Sequence, residues 1–354
     1  MKENIFCGYT IGTDAFDAIG RICAPLGRRV LIIGGETALS KSLDELKPAL
    51  KGQFDIIDTV IYGKECYSRR MHELCDNYKD SGVDFVIGVG GGKAIDTAKG
   101  TAFLLDCPVV TVPTIASTCA ASSAMSVVYT ENHVFEGFWH YKKPAYHCFI
   151  NTHIIADAPL KFLRAGIGDT LAKYYEVEFS SRGAAKTFSD ETALSISRMC
   201  NTPLFADAPE ALDDCKNGKI TDALENVILI ILISTGTVSM MINEKFNGAA
   251  AHALFYGLTN LDGFEEKFLH GDVVGYASIV QLILDGKTDE AKRLQAFLKS
   301  IGIETTLAER GITPRRGEFE KILNSAIADP DMEVIPYEVT ADMLFDAIIK
   351  TENL

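Results

Sequence analysis

Three polar residues stand in apolar, small-residue surroundings and are candidates for metal chemistry. Asp169 closes Gly166-Ile167-Gly168-Asp169, His252 follows Gly248-Ala249-Ala250-Ala251, and His270 precedes Gly271-Asp272. An Asp/His/His set leaves coordination positions open, which a catalytic divalent cation requires. Taken singly, each histidine reads as a hydrogen-bonded core residue. The separations, 83 residues from Asp169 to His252 and 18 from His252 to His270, are too long for spacing to establish that the three converge. Both readings stand at this level.

Two further segments carry the marks of ligand loops. Gly88-Val89-Gly90-Gly91-Gly92-Lys93-Ala94-Ile95-Asp96-Thr97-Ala98-Lys99 runs from an apolar strand through glycines into a helix. Glycines let backbone approach a phosphate, and a helix N-terminus offers unpaired N–H groups. The alternative is a tight turn without a ligand. The segment follows the third strand, so it is not the usual dinucleotide fingerprint on the first. Val112 to Met125 is rich in small and hydroxylated residues and follows the fourth strand. It reads either as a ligand loop beyond a strand end or as a closely packed connection.

The elements that must hold these residues fall into two groups. Apolar runs at 29–35, 54–62, 84–89 and 109–112 read as strands, with helices at 40–50, 71–80 and 93–104 between them. Alternating strand and helix predicts a parallel sheet covered on both faces. Residues 131–150, with Gly137, Pro144 and several aromatics, read as an antiparallel hairpin or loop excursion. Beyond residue 157 helical periodicity dominates, with Pro159 placed to open a helix. Helices are expected at 191–207, 219–243, 247–259, 267–285, 287–300 and 340–350. The predicted architecture is an α/β domain with a parallel sheet over 1–157 and an all-helical domain over 158–354.

Composition narrows the function classes. Hydrophobic residues make up 47% and charged residues 23%, an ordinary globular balance. A net charge of -14 argues against general binding to a nucleic-acid backbone. The strongest apolar run, Val227 to Ile233, has seven residues, and its extension to Ile242 takes in Ser234, Thr235, Gly236, Thr237 and Ser239. No membrane span is expected there. The N-terminus lacks a signal-peptide pattern. Nine cysteines, an odd number without a CxxC pair, point to a reduced, cytoplasmic chain.

Together, GGGKAIDTAK, PTIASTCA, AGIGDTLAKYYE, AAAHALFYGLT and FLHGDVV resemble the iron-containing (group III) alcohol dehydrogenase superfamily, and within it the glycerol dehydrogenase branch. The resemblance covers nearly the whole chain, in the same order. It implies a dehydroquinate-synthase-like two-domain fold with the active site in the interdomain cleft. It implies metal ligation by Asp169, His252 and His270. The iron enzymes add a ligand one turn after the aspartate, where this chain has Lys173, so zinc is favoured over iron. Tyr256 takes a position often held by histidine in longer-chain alcohol dehydrogenases. The resemblance assigns Gly90, Gly91, Gly92, Lys93 and Asp96 to the pyrophosphate of NAD or NADP. Thr114, Ser117, Ser123, Met125 and Tyr129 fall to its nicotinamide half, and Glu36 to the adenosine ribose. Cys119 stands where glycerol dehydrogenases have a substrate-binding aspartate. With Lys173, that departure is similar to a hydroxycarboxylate dehydrogenase branch acting on 2-oxo acids. The implied partners are a small alcohol or ketone and further copies of the chain. Dehydroquinate-synthase-like and glycerol-1-phosphate dehydrogenase activities need phosphate-binding residues, for which only Lys142, Lys143 and Arg164 offer themselves. A non-catalytic binding protein should have lost glycines or ligands, and the matched ones are all present.

Overall fold

The computed structural model describes residues 5–131 and 135–354. The chain forms two compact units: Met1–Pro159 with Asp214–Met240, and Leu160–Asp213 with Met241–Leu354. Asp214–Met240 lies in sequence beyond the expected boundary at 157/158 and packs with the first unit.

The first unit is built on a six-stranded parallel sheet in the order β1-β8-β5-β4-β2-β3. Its strands are β1 (Gly8–Gly12), β2 (Arg29–Gly34), β3 (Asp55–Ile61), β4 (Phe85–Gly90), β5 (Val109–Pro113) and β8 (His147–Asn151). The continuous apolar run of β2 reflects burial on both sides. Val30 and Ile32 enter one core with Phe85, Ile87, Val110 and Val112. Leu31 and Ile33 enter the opposite core with Val86, Leu74, Ala98 and Ala102. Alternate residues of a strand point to opposite faces, so a strand covered by helices on both sides needs no polar alternation.

β6 (Met125–Tyr129) and β7 (Phe135–His140) form a separate antiparallel pair. The hairpin expected at 131–150 forms, but its first strand precedes that stretch, and residues 132–134 lie outside the described ones. The excursion ends sooner than expected, because His147–Asn151 returns as β8 between β1 and β5. β1 itself was not anticipated. Its sequence, GYTIG, has glycine at both ends and too little apolar character to stand out.

Asp222–Met241 is a continuous helical run of 20 residues with a mean hydropathy of 1.7. By length and composition alone this one helix, among the described residues, could cross a membrane. It is also a core element. Leu224, Val227, Ile228 and Ile230 to Leu232 are buried. Its middle, Ile230–Ser234, is a π-helical turn, and Ser122 Oγ donates to the carbonyl of Leu232 within that turn. At Gly236 a Cβ would lie 2.1 Å from Ser122 Oγ, so the close approach requires glycine there.

The second unit is helical. Lys161–Ser180 and His270–Leu284 cross with backbone against backbone. A Cβ at Gly168 would lie 2.3 Å from the carbonyl oxygen of Gly271, and one at Gly271 would lie 1.9 Å from that of Ala165. The glycines of GIGD and HGD therefore serve interhelical contact. Around this crossing packs a core that includes Phe179, Leu254, Phe255, Val273, Tyr276, Leu323 and Ile348. The helix expected at 191–207 is broken. Phe188–Ser197 ends in a 3-10 turn at Arg198–Cys200, and Thr202–Lys216 starts afresh. Glu320–Ile327 is an additional helix that was not anticipated.

Candidate metal and dinucleotide sites

The Gly168–Gly271 crossing brings Asp169 and His270 together. His252 enters from the first turn of Ala250–Leu258. Asp169 Oδ1 lies 3.4 Å from His270 Nε2 and 3.8 Å from His252 Nε2. One ligand atom from each residue fits within 4.8 Å of the other two. The spacing that sequence left open is thus closed by the fold, within one unit. His270 is the more open side, its side chain 35% exposed against 12% for Asp169.

A carboxylate that sequence reasoning did not assign to the site completes it. Glu176 is fully buried, and its Oε2 lies 2.5 Å from His252 Nδ1. Its Oε1 accepts the backbone N–H groups of Ala249 and His252, both at 2.9 Å. Ala249 cannot cap its own helix with a side chain, so Glu176 supplies the acceptor from another helix. The signal was available: Asp169, Lys173 and Glu176 are spaced i, i+4, i+7, one face of a helix.

Neighbouring opposite charges hold the carboxylates of this cluster ionised against their burial. Burial would raise the Asp169 carboxyl, yet His270, His252 and Lys173 hold it below its ordinary range. Glu176 is likewise held low against its burial by His252 and Lys173. Burial disfavours the His252 imidazolium, but Glu176 and Asp169 together raise it above the usual value. Lys173 does not point freely into solvent. Its ammonium donates to the backbone carbonyl of Asn247 at 2.5 Å and to Asn247 Oδ1 at 2.9 Å. The ring of Tyr256 lies 6.2 Å from that of His252.

In the first unit, β2 leads toward β3 on one side of the sheet and β4 toward β5 on the other. The carboxyl ends of β2 and β4 therefore flank the point where strand order reverses, the usual ligand crevice of such sheets. Gly90, Gly91 and Gly92 end β4 and open the helix Gly92–Leu104, while Gly35 and Glu36 follow β2. Gly90 has a φ of 146°, in the region that favours glycine. No side chain caps the Gly92–Leu104 helix. Thr114 joins the crevice by donating its N–H to the carbonyl of Gly90 at 3.1 Å. Lys93 pairs with Glu65 and lies 5.9 Å over the ring of Tyr129.

Three sequence candidates serve a different arrangement. Lys99 is buried, pairs with Asp96 at 2.8 Å, and donates to the carbonyls of Ala120 (2.8 Å) and Met125. It also reaches Ser123 Oγ at 3.3 Å. Asp96 Oδ2 accepts the Val127 N–H at 3.1 Å. The polar atoms of Asp96, Ser123 and the Met125 carbonyl thus gather around one ammonium, which ties the 119–127 segment to the glycine-led helix. Cys119 opens the 3-10 turn Cys119–Ala121, and Ser117 lies just before it, both partly buried. None of the nine cysteines forms a disulfide.

Known proteins resemble this chain along its length. A model of the family described as iron-containing alcohol dehydrogenase matches residues 8–152. Glycerol dehydrogenase of Pseudomonas putida is 30% identical over 353 residues, 98% of this chain and 95% of that one. Hydroxycarboxylate dehydrogenase A of Escherichia coli K12 is 32% identical over 332 residues, covering 92% of this chain and 90% of its own. The crystal structure of glycerol dehydrogenase from Schizosaccharomyces pombe superposes with a TM-score of 0.89 at 26% identity, covering 100% of this chain and 91% of that one. With likeness to these proteins along its whole length, the chain belongs to the iron-containing alcohol dehydrogenase family.

Proposed function

We propose that this enzyme is a metal-dependent, NAD(P)-linked dehydrogenase interconverting a small polyol-type secondary alcohol and its ketone. The observation that carries the reading is the convergence of Asp169, His252 and His270, with both histidines turning Nε2 toward the carboxylate. A carboxylate oxygen and two imidazole nitrogens fit a divalent cation and leave positions for a substrate oxygen. When bound, the metal draws electron density from that oxygen and the nicotinamide carries the hydride. The protein's share is positioning: three ligands held by crossing helices, and a glycine crevice that admits a pyrophosphate. Zinc is favoured over iron because Lys173, occupied by Asn247, offers no fourth ligand. By its likeness to the family the enzyme is read as a cytoplasmic homo-oligomer.

A second reading, reduction of 2-oxo acids, rests on Cys119. A neutral thiol replaces the aspartate expected of a polyol site, and the hydroxycarboxylate dehydrogenase relative supports it. The contribution expected of Lys173 is weakened, because its ammonium already has two acceptors.

Metal analysis and nicotinamide absorbance assays on polyols, their ketones and 2-oxo acids, with both cofactors, test these readings. His252→Ala and His270→Ala should each lose metal and turnover together. Full metal occupancy and activity in both variants would end the metal reading. Selective loss of 2-oxo acid turnover in Cys119→Asp would favour the second substrate class.

A further inference from the structure

We infer that Glu176 is the positioning residue of the metal site, fixing the tautomer of His252 so that Nε2 is the ligating nitrogen. The inference rests on the metal reading above and extends it to a residue outside the ligand set.

The geometry leaves few alternatives. An ionised carboxylate only accepts hydrogen bonds. At 2.5 Å from Nδ1, Glu176 Oε2 therefore requires the proton on Nδ1. That leaves the lone pair of a neutral ring on Nε2, the nitrogen that faces Asp169. Glu176 cannot swing away easily, because Oε1 is held by two backbone N–H groups and the side chain has no exposed surface. The same N–H groups belong to the start of the helix that carries His252. One carboxylate thus fixes the backbone, the ring orientation and the tautomer of a single ligand. Outer carboxylates of this kind sharpen metal affinity by orienting an imidazole and raising its basicity.

Glu176→Gln separates this role from simple helix capping. The amide oxygen can still accept the Ala249 and His252 N–H groups. The amide nitrogen then faces Nδ1 as a donor, which drives the proton to Nε2 and blocks ligation. Zinc titrations in competition with a chromophoric chelator should show affinity about 10–100-fold weaker than wild type. Circular dichroism of the metal-free variant should match the metal-free wild type. Unchanged zinc affinity in a folded Glu176→Gln would reduce Glu176 to a cap and overturn the inference. If that variant does not fold, nitrogen-15 spectra of histidine in the zinc-loaded wild type decide. They should show His252 protonated at Nδ1, and a proton at Nε2 would overturn the assignment. A wild-type chain that binds no zinc would instead sink the metal reading itself, a failure distinct from that of Glu176 alone.

Discussion

His147 shows how one side chain can be read through its proton. It sits on β8, with Nε2 2.9 Å from Thr10 Oγ1 on β1. Burial, aided by Arg21, lowers its pKa from 6.5 to about 4. The unfolded chain takes up a proton near pH 6.5 and the folded chain only near 4, so the site's stabilisation is present above pH 6.5 and is lost as pH falls toward 4. His147→Gln should flatten that part of the stability profile. The difference, measured by urea denaturation at pH 7 and pH 4.5, should be about 1–3 kcal/mol given the partial exposure. Identical profiles would refute it. At this scale the sequence was most legible where a residue type carries its own chemistry. Asp169, His252 and His270 do, and all three meet. Glu176 shares the helix face of Asp169, but that spacing does not distinguish a buried outer carboxylate from a solvent-facing one; the start of the neighbouring helix does.

Helices and strands matter here through what they hold still. Lys99 ties the segment from Ala120 to Met125 to the helix that follows the glycine crevice, with Asp96 as its counter-ion. Lys99→Met leaves Asp96 buried without that partner, which should destabilise the protein by about 3–5 kcal/mol. The double variant Asp96→Asn/Lys99→Met should lose less than the sum of the single losses, because it removes both charges. Additive losses would show that the pair is not coupled. Gly91→Val probes the crevice itself. A Cβ there would meet Ile115 Cδ1 at 2.6 Å, and the substitution tests the proposed role of this loop in holding the cofactor. The folded variant should bind NAD at least tenfold more weakly by fluorescence titration, and an unchanged titration would remove Gly91 from the cofactor site. Elements with strong burial on both faces, β2 and β4, were evident from their apolar runs. β8 and β1 were obscured, one by the aromatic-rich stretch before it and the other by its glycines. The π-helical turn leaves no clear trace in Ile-Ile-Leu-Ile-Ser, because it depends on the Leu232 carbonyl meeting Ser122.

For the whole chain, the change near residue 157 from mixed to helical character was readable, but the return of Asp214–Met240 to the first unit was not. Periodicity tells a helix from a strand; it does not say which core a helix enters. Hydrogen exchange gives a direct check. Zinc should protect amides mainly in 160–213 and 241–354, and NAD mainly in 5–159 and 214–240. Protection of 214–240 by zinc alone would contradict the assignment of that segment. The returning segment also bears on the birth of the protein. The first unit lacks its last helix until residue 240 has been made, 81 residues after Pro159 (240 − 159). At a synthesis rate of about 5–20 residues per second, that is a delay of roughly 4–16 s. Until then the segment around Cys119–Ala121 and Ser122, which meets this helix, lacks its partner, and the second unit begins to emerge before the first is complete.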